Sequence, residues 1–304
     1  MLERDASSEK PNWYREIVLN PNEAAACRSL AESVAGGHSI IMLHNVASAA
    51  ECAAIAEEAS SAACKAREER GLSGLVRMPV KSLVGAECTA LCDALLLRQI
   101  AWLDSLVPSL IPNLFGDLLA ASTKTVFDNT RLDWSEGEPA INVYTPGGCF
   151  TPHEDEQSLT CLLNVSPKSG YTGGGTSFWS TAGAVTALDT DVSSAVASAI
   201  GTLAGPATVT AAFSALAVIS PPTCLLAPPA GTALVFGGQV THAAQPLDTG
   251  ERIVFVASFS PAADAEPPDE SAEVSASAPL QADAEDDCSL EELCAALTGL
   301  PPAG

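Results

Sequence analysis

From Ala140 onward the apolar residues arrive in runs of four to eight, each cut off by glycine, proline or a polar turn. The runs are Ala140-Ile-Asn-Val-Tyr144, Leu159-Thr-Cys-Leu-Leu-Asn-Val165, Thr176-Ser-Phe-Trp179, Thr232-Ala-Leu-Val-Phe236 and Arg252-Ile-Val-Phe-Val-Ala-Ser-Phe259. They have the length of strands and are too short for ordinary helices. Several short strands with turn signals between them specify a sandwich or a barrel.

The first half has a different texture. Residues 1–36 read as an N-terminal arm with a short helix, Asn22 to Ala35. His38-Ser-Ile-Ile-Met-Leu-His44 follows as a strand. Ser48-Ala-Ala-Glu51 has the form of a capping box, in which each side chain satisfies a backbone N–H of the other residue. It opens an alanine-rich helix to about Arg70. Leu91, Leu95, Ile100 and Leu103 fall near helical spacing and predict a helix from Ala86 to Leu106, with another over Ser109 to Ala120. The fold class expected is α+β.

Charge and composition narrow the function classes. The 304 residues carry a formal charge of −23, and residues 261–304 hold eleven acidic side chains with no Lys or Arg. That tail has the composition of a disordered segment, with a short amphipathic helix around Leu290, Leu293 and Leu297 near its end. A chain this acidic repels phosphate backbones, so nucleic acid is not an expected partner. No apolar run approaches the roughly 18 to 20 residues that span a bilayer, and the charged start has no apolar signal-type segment. The expectation is an intracellular, cytoplasmic protein without a membrane. Ten cysteines lie at irregular spacing with no CxxC pair, which fits free thiols in a reducing compartment. Residues 180–229, rich in Ala, Ser and Thr, read as an insertion.

Four histidines limit the chemistry: His38, His44, His153 and His242. The first two flank an apolar strand and read as structural. In an extended segment His153 and Asp155 point to one face while Glu154 points away. One imidazole and one carboxylate supply two-thirds of a facial triad, the arrangement that leaves open positions on Fe(II). Alone, His-x-Asp also fits a solvated turn. His242 lies beyond the strand 232–236, in a loop from which a ligand can project inward. Arg252 shares its strand face with Val254 and Val256. A guanidinium there needs an anionic partner if the face is interior, or solvent if it lies at the edge.

The order His-x-Asp, distant His, then Gly-x-Arg resembles the 2-oxoglutarate- and Fe(II)-dependent dioxygenase superfamily, most closely its prolyl 4-hydroxylase-like branch. The stretches that carry the resemblance are Asn142-Val-Tyr-Thr-Pro-Gly-Gly-Cys-Phe-Thr-Pro-His-Glu-Asp155, Gly173-Gly-Gly-Thr-Ser-Phe178, Ala230-Gly-Thr-Ala-Leu-Val-Phe236 and His242-Ala-Ala-Gln-Pro-Leu-Asp-Thr-Gly-Glu-Arg252. The resemblance implies a double-stranded β-helix (jelly-roll) with flanking N-terminal helices, occupying residues 37–260. It implies that His153, Asp155 and His242 are the catalytic metal ligands. Arg252 would pair with the far carboxylate of 2-oxoglutarate, and Tyr144 would lie near that cosubstrate. Asn164 falls where a cosubstrate-contacting tyrosine is common, which puts that contact in doubt. The cofactors implied are Fe(II) and 2-oxoglutarate, with ascorbate as an accessory reductant. The reaction implied is hydroxylation of an unactivated C–H bond by dioxygen, on a prolyl or other side chain of a protein or peptide, or on a small molecule. Because Asp155 supplies a carboxylate, hydroxylation is favoured over halogenation. Two rival readings remain: a cupin-like metalloenzyme, which would use more histidines, and a non-catalytic jelly-roll binding module whose acidic tail recruits partners.

Overall fold

A computed structural model describes residues 13–83, 85–120, 123–180 and 221–263. Strand β1 is Tyr14–Val18, followed by helices α1 (Pro21–Ala26) and α2 (Leu30–Ala35), then β2 (Ser39–Leu43) and α3 (Ala49–Arg70). Next come β3 (Leu75–Pro79), α4 (Val80–Leu83), α5 (Ala86–Leu106) and α6 (Leu110–Phe115). The β-rich half holds β4 (Leu132–Trp134), β5 (Ala140–Tyr144), β6 (Leu159–Asn164), β7 (Tyr171–Gly173) and β8 (Thr176–Phe178). It continues with β9 (Cys224–Leu226), β10 (Thr232–Phe236), β11 (His242–Ala244), β12 (Leu247–Gly250) and β13 (Arg252–Pro261).

Eight strands form one antiparallel sheet in the order β1-β2-β10-β6-β13-β5-β3, with β4 pairing to the far end of β13. Two smaller sheets, β11-β8-β9 and β12-β7, cover its inner face. Strand alternation explains the two cores. Ile40, Met42, Leu162, Leu234, Phe236 and Val254 point inward, where Phe178, Ala244 and Leu247 of the small sheets meet them. The intervening residues Ile41, Leu43, Leu163, Val235, Ile253 and Phe255 point outward, against Ile55 of α3, Leu95 and Leu103 of α5 and Phe115 of α6. With both faces covered, β2, β5, β6 and β10 are buried along their whole length. That is why they read as continuous apolar runs rather than alternating ones. The fold is α+β, with N-terminal helices on one face of a large antiparallel sheet, consistent with a double-stranded β-helix.

Helix α3 opens on its capping box: Glu51 N–H donates to Ser48 Oγ at 3.2 Å and Ser48 N–H to Glu51 Oε2 at 2.7 Å. It stops at Gly71, whose φ of +65° reverses the chain in the left-handed region. The helix expected from Asn22 to Ala35 is two helices, because Ser29 starts a second one by accepting from the Glu32 N–H. The helix expected to reach Ala120 ends at Phe115, where Gly116 turns the chain with φ +57°. Strand β1, inside the stretch read as an arm, is an edge strand of the main sheet paired to β2. Strand β9, inside the stretch read as an insertion, pairs with β8. Residues 181–220 and the tail from 264, with its amphipathic segment, lie outside the described residues. Among the described residues no helix is long and apolar enough to cross a membrane, and all eight described cysteines are free thiols.

Candidate metal centre

His153 and His242 face each other through a backbone pair. His153 N–H donates to His242 O at 3.0 Å and His242 N–H to His153 O at 2.9 Å, an isolated antiparallel bridge. Opposed residues in such a pair project to the same side, so the two imidazole rings lie 4.4 Å apart between centroids. His242 is the first residue of β11 rather than part of a loop, so the sequence expectation is corrected there: a strand of three residues is too short to show periodicity. Asp155 joins them because its N–H donates to Gly238 O at 3.0 Å. Gly238 allows the approach; a Cβ on it would meet Gln157 O at 2.0 Å.

The side chains converge. His153 Nε2 lies 3.5 Å from Asp155 Oδ1, and His242 Nε2 lies 3.6 Å from Asp155 Oδ2. One ligand atom from each of the three residues lies within 4.8 Å of the others. Each imidazole is oriented by its own chain. His153 Nδ1 sits 2.8 Å from Thr151 O and His242 Nδ1 sits 3.0 Å from Val240 O, so both Nδ1 atoms donate and both Nε2 lone pairs face the centre. Thr160 Oγ1 donates to Asp155 Oδ2 at 2.6 Å. No other cluster of three such residues occurs among the described residues.

Burial and charge set the protonation. Burial pushes His242 down to about 4 against the pull of Asp155, so its imidazole is neutral at physiological pH. Burial also opposes a charge on His153, but the hydrogen bond and charge of Asp155 outweigh it and the net shift is upward. Burial alone would raise Asp155; the histidines and the Thr160 hydroxyl reverse this and hold the carboxylate ionised. Two neutral imidazoles and one carboxylate form a borderline N/O donor set suited to a divalent transition metal with open positions. His153 has 36% of its side chain exposed against 7% for Asp155, so the centre opens to solvent on the His153 side.

A cavity runs inward from the triad to Arg252, which is 1% exposed. Its Nη1 donates to Gly175 O at 3.2 Å, its Nη2 to Thr176 Oγ1 at 3.0 Å, and its Nε has no partner. The guanidinium carbon lies 5.5 Å from the Tyr144 ring, its partner across the β5–β13 ladder. Among the described residues no carboxylate lies within ion-pair distance of Arg252. A fully buried cation without an anion is costly, and the cavity in front of it is where an anion fits.

Towards solvent the cavity is lined by Arg77, Glu138 and Phe150. Arg77 Nη2 donates to Glu138 Oε1 at 2.7 Å, and its guanidinium carbon lies 5.7 Å from the Phe150 ring centroid. Burial pushes the Glu138 carboxyl up, with Arg77 opposing.

The structure thus brings together His153, Asp155, His242, Arg252 and Tyr144 around one cavity. It does not bring Asn164 there. Asn164 is buried on β6 and its amide hydrogens go to Ser166 O at 2.9 Å and Pro228 O at 3.0 Å, so it has no donor left for a ligand. His38 and His44 bracket β2, outside the site. Thr160, Thr176, Arg77 and Glu138 were not singled out by sequence. Of these only Thr160 had a usable signal, lying on the same strand face as inward-pointing Leu162.

The fold and site define a cluster of two histidines and one carboxylate, able to hold a single metal ion, inside an antiparallel β-sandwich. No protein-family model matches the chain, and no curated protein matches it. Solved structures do. The viral collagen prolyl hydroxylase vCPH of Paramecium Bursaria Chlorella virus-1, solved as a 2OG complex, is 13% identical with TM-score 0.40, over 75% of this chain and 99% of that one. A Pseudomonas putida prolyl-4-hydroxylase is 15% identical with TM-score 0.38, over 79% of this chain and 99% of that one. An oxidoreductase of the 2OG-Fe(II) oxygenase family from Burkholderia pseudomallei matches at 14% identity and TM-score 0.25, over 40% of each chain. The chain is similar in structure to 2OG-Fe(II) oxygenases, prolyl 4-hydroxylases among them. At these identities and scores its chemistry is decided by its own residues.

Proposed function

We propose that this chain is a 2-oxoglutarate- and Fe(II)-dependent oxygenase that hydroxylates an unactivated C–H bond. One observation carries the reading: a His, His, Asp donor set and a buried, unpaired guanidinium share a single cavity. The residues fit both groups. His153, His242 and Asp155 would hold Fe(II), and Arg252 would hold the far carboxylate of the 2-oxo diacid, with Tyr144 alongside. Dioxygen is the oxidant: the chemistry that the bound ion and 2-oxo diacid would supply splits its two oxygen atoms between the target C–H bond and succinate, with carbon dioxide released.

The protein's own part is positioning. The carbonyls of Thr151 and Val240 fix both imidazole tautomers, and Thr160 fixes the carboxylate. Arg252 and Thr176 set the depth to which a diacid can enter. The apolar side chains of Leu162, Val254 and Val256 line the cavity with few groups that could hold stray water. Arg77, braced by Glu138 and Phe150, faces whatever approaches from the His153 side. The target is a protein, peptide or small molecule offering a C–H bond at that opening. Ascorbate enters only as an additive in the assay.

The test is 2-oxoglutarate decarboxylation without added target. The wild type with Fe(II) is expected to release succinate, while His153→Ala and Asp155→Ala release none yet stay folded. Succinate release by either variant at the wild-type rate rejects the proposal, and a silent wild type points to a non-catalytic binding module. Mass spectrometry for one added oxygen atom on candidate peptides and metabolites then identifies the target.

A further inference from the structure

Strand β3 is the last strand of the main sheet. It pairs with β5 and, among the described residues, with no other strand. Alternate residues make its hydrogen bonds to β5. Thr145 N–H donates to Gly74 O at 2.7 Å, Val80 N–H donates to Pro139 O at 2.8 Å, and the register between them is unbroken. Val76 and Met78 lie in step with Gly74 and Val80, so Arg77 turns its own N–H and C=O away from β5, to the open side. Edge strands are commonly guarded by a charged side chain. Arg77 does not guard this one: its guanidinium is folded inward, with Nη2 2.7 Å from Glu138 Oε1 and its carbon 5.7 Å from the Phe150 ring centroid. A backbone donor and acceptor are left side by side on the edge.

The open edge borders the metal centre. Leu75 packs in the inner core, and Arg77 and Pro79, on the same strand face, line the cleft that leads to His153. On the far side of that cleft the His153 segment borders the small sheet, bridged to β11. The opening thus lies between the borders of two sheets. The cleft is also acidic. Glu136 and Glu154 are exposed on it, and Thr241 Oγ1 donates to Glu154 Oε1 at 3.0 Å. Among the described residues lining it, Arg77 is the one Lys or Arg, and Glu138 already answers its charge. An anionic target is repelled there and a cationic one is drawn in.

We propose that the target is a basic polypeptide that adds to the edge of β3 as an extra strand. One target residue would exchange both backbone hydrogen bonds with Arg77. Its side chain would project to the same face as that of Arg77, into the cavity beside the metal centre. That residue is the one hydroxylated, and it is not proline, which has no N–H to give. The residues two positions to either side project into the same cleft, where Glu136 and Glu154 meet lysine or arginine. This names the target class of the same site and rests on the oxygenase reading above.

The probes are short peptides with a variable central residue X, each X tested separately against the protein loaded with Mn(II) and 2-oxoglutarate. One set has lysine two positions either side of X and threonine elsewhere. A second has glutamate in place of lysine, and a third moves the lysines next to X. Fluorescence anisotropy reads binding. For the best X, the first set is expected to bind about ten-fold tighter than the second and about three-fold tighter than the third. Methylating the backbone nitrogen of X removes the N–H meant for Arg77 O and should weaken binding by about five-fold or more. Glu136→Lys should narrow the preference for lysine over glutamate to about three-fold or less.

Equal binding of the lysine and glutamate sets overturns the proposal, as does a third set that binds like the first. An N-methylated peptide that binds as well as its parent, a best X of proline, or a protein that binds no set overturns it too. Succinate release without peptide, measured with Fe(II) in place of Mn(II), separates the two readings. Where release persists, only the strand-addition proposal falls; where it is absent, the oxygenase reading falls with it.

Discussion

Replacing Thr160 by valine removes one hydroxyl from the metal centre while nearly preserving shape. Thr160 is fully buried and its Oγ1 donates to Asp155 Oδ2 at 2.6 Å. The Ser258 hydroxyl, 3.2 Å from Thr160 Oγ1, supplies the proton of that second contact, because threonine has only one to give. Valine leaves Oδ2 with the His242 imidazole at 3.6 Å and no short hydrogen bond. A hydrogen bond to a charged group contributes about 1.5 to 3 kcal/mol, and loss of such a supporting contact lowers metal affinity by about 10- to 100-fold. Thr160→Ser keeps the hydroxyl and loses only a methyl group, so it should bind metal within about three-fold of the wild type while costing about 1 kcal/mol of stability. The assay is competition for Mn(II) against a chelator of known affinity, with thermal unfolding as control. Wild-type metal affinity in Thr160→Val would refute the reasoning, because the carboxylate would then be oriented by something else.

Arg252→Met should raise the 2-oxoglutarate concentration needed for half-maximal decarboxylation by at least about 30-fold, since a buried charge partner is lost; metal binding should be unchanged, and a titration without displacement removes Arg252 from the site. Metal uptake should weaken as pH falls. His153, shifted upward, holds its proton to higher pH than a free imidazole and must release it to coordinate, whereas His242 is already neutral. Calorimetry of Mn(II) binding in buffers of different ionisation enthalpy should therefore show proton release that grows as pH drops, and a pH-independent signal contradicts this. Gly238→Ala forces a Cβ against Gln157 O, 2.0 Å away in the present geometry, and should shift the segment carrying Asp155. A lower Tm and a metal affinity reduced by about ten-fold or more are expected, the loss that follows when the supports of a ligand are disturbed; intact metal binding would show that the segment adapts.

What could be read from sequence is what is local. Helix α5 and strands β5 and β10 have the bounds their apolar patterns gave, and Ser48 and Glu51 announced the start of α3 from four residues. Strands β7, β9, β11 and β12 have three or four residues each and are held by partners distant in the chain, so no window could reveal them. Edge strand β1 has no buried position and β3 only alternate ones, and they carry Arg15 and Arg77, so neither shows the continuous apolar run that marks the central strands. At the site, His153, Asp155, His242 and Arg252 stood out because such residue types are few and costly to bury. Asn164 is assigned by resemblance alone, and no local pattern tells that its amide N–H groups are committed to backbone carbonyls.

Because His153 and His242 exchange both of their backbone hydrogen bonds, the ion that joins their side chains would also rivet that rung of the structure. Opening the rung would mean dissociating the ion, so the two amides should trade hydrogen with solvent slowly when the centre is filled and quickly when it is stripped. The protein thereby carries its own gauge of metal occupancy, readable without any reaction being run.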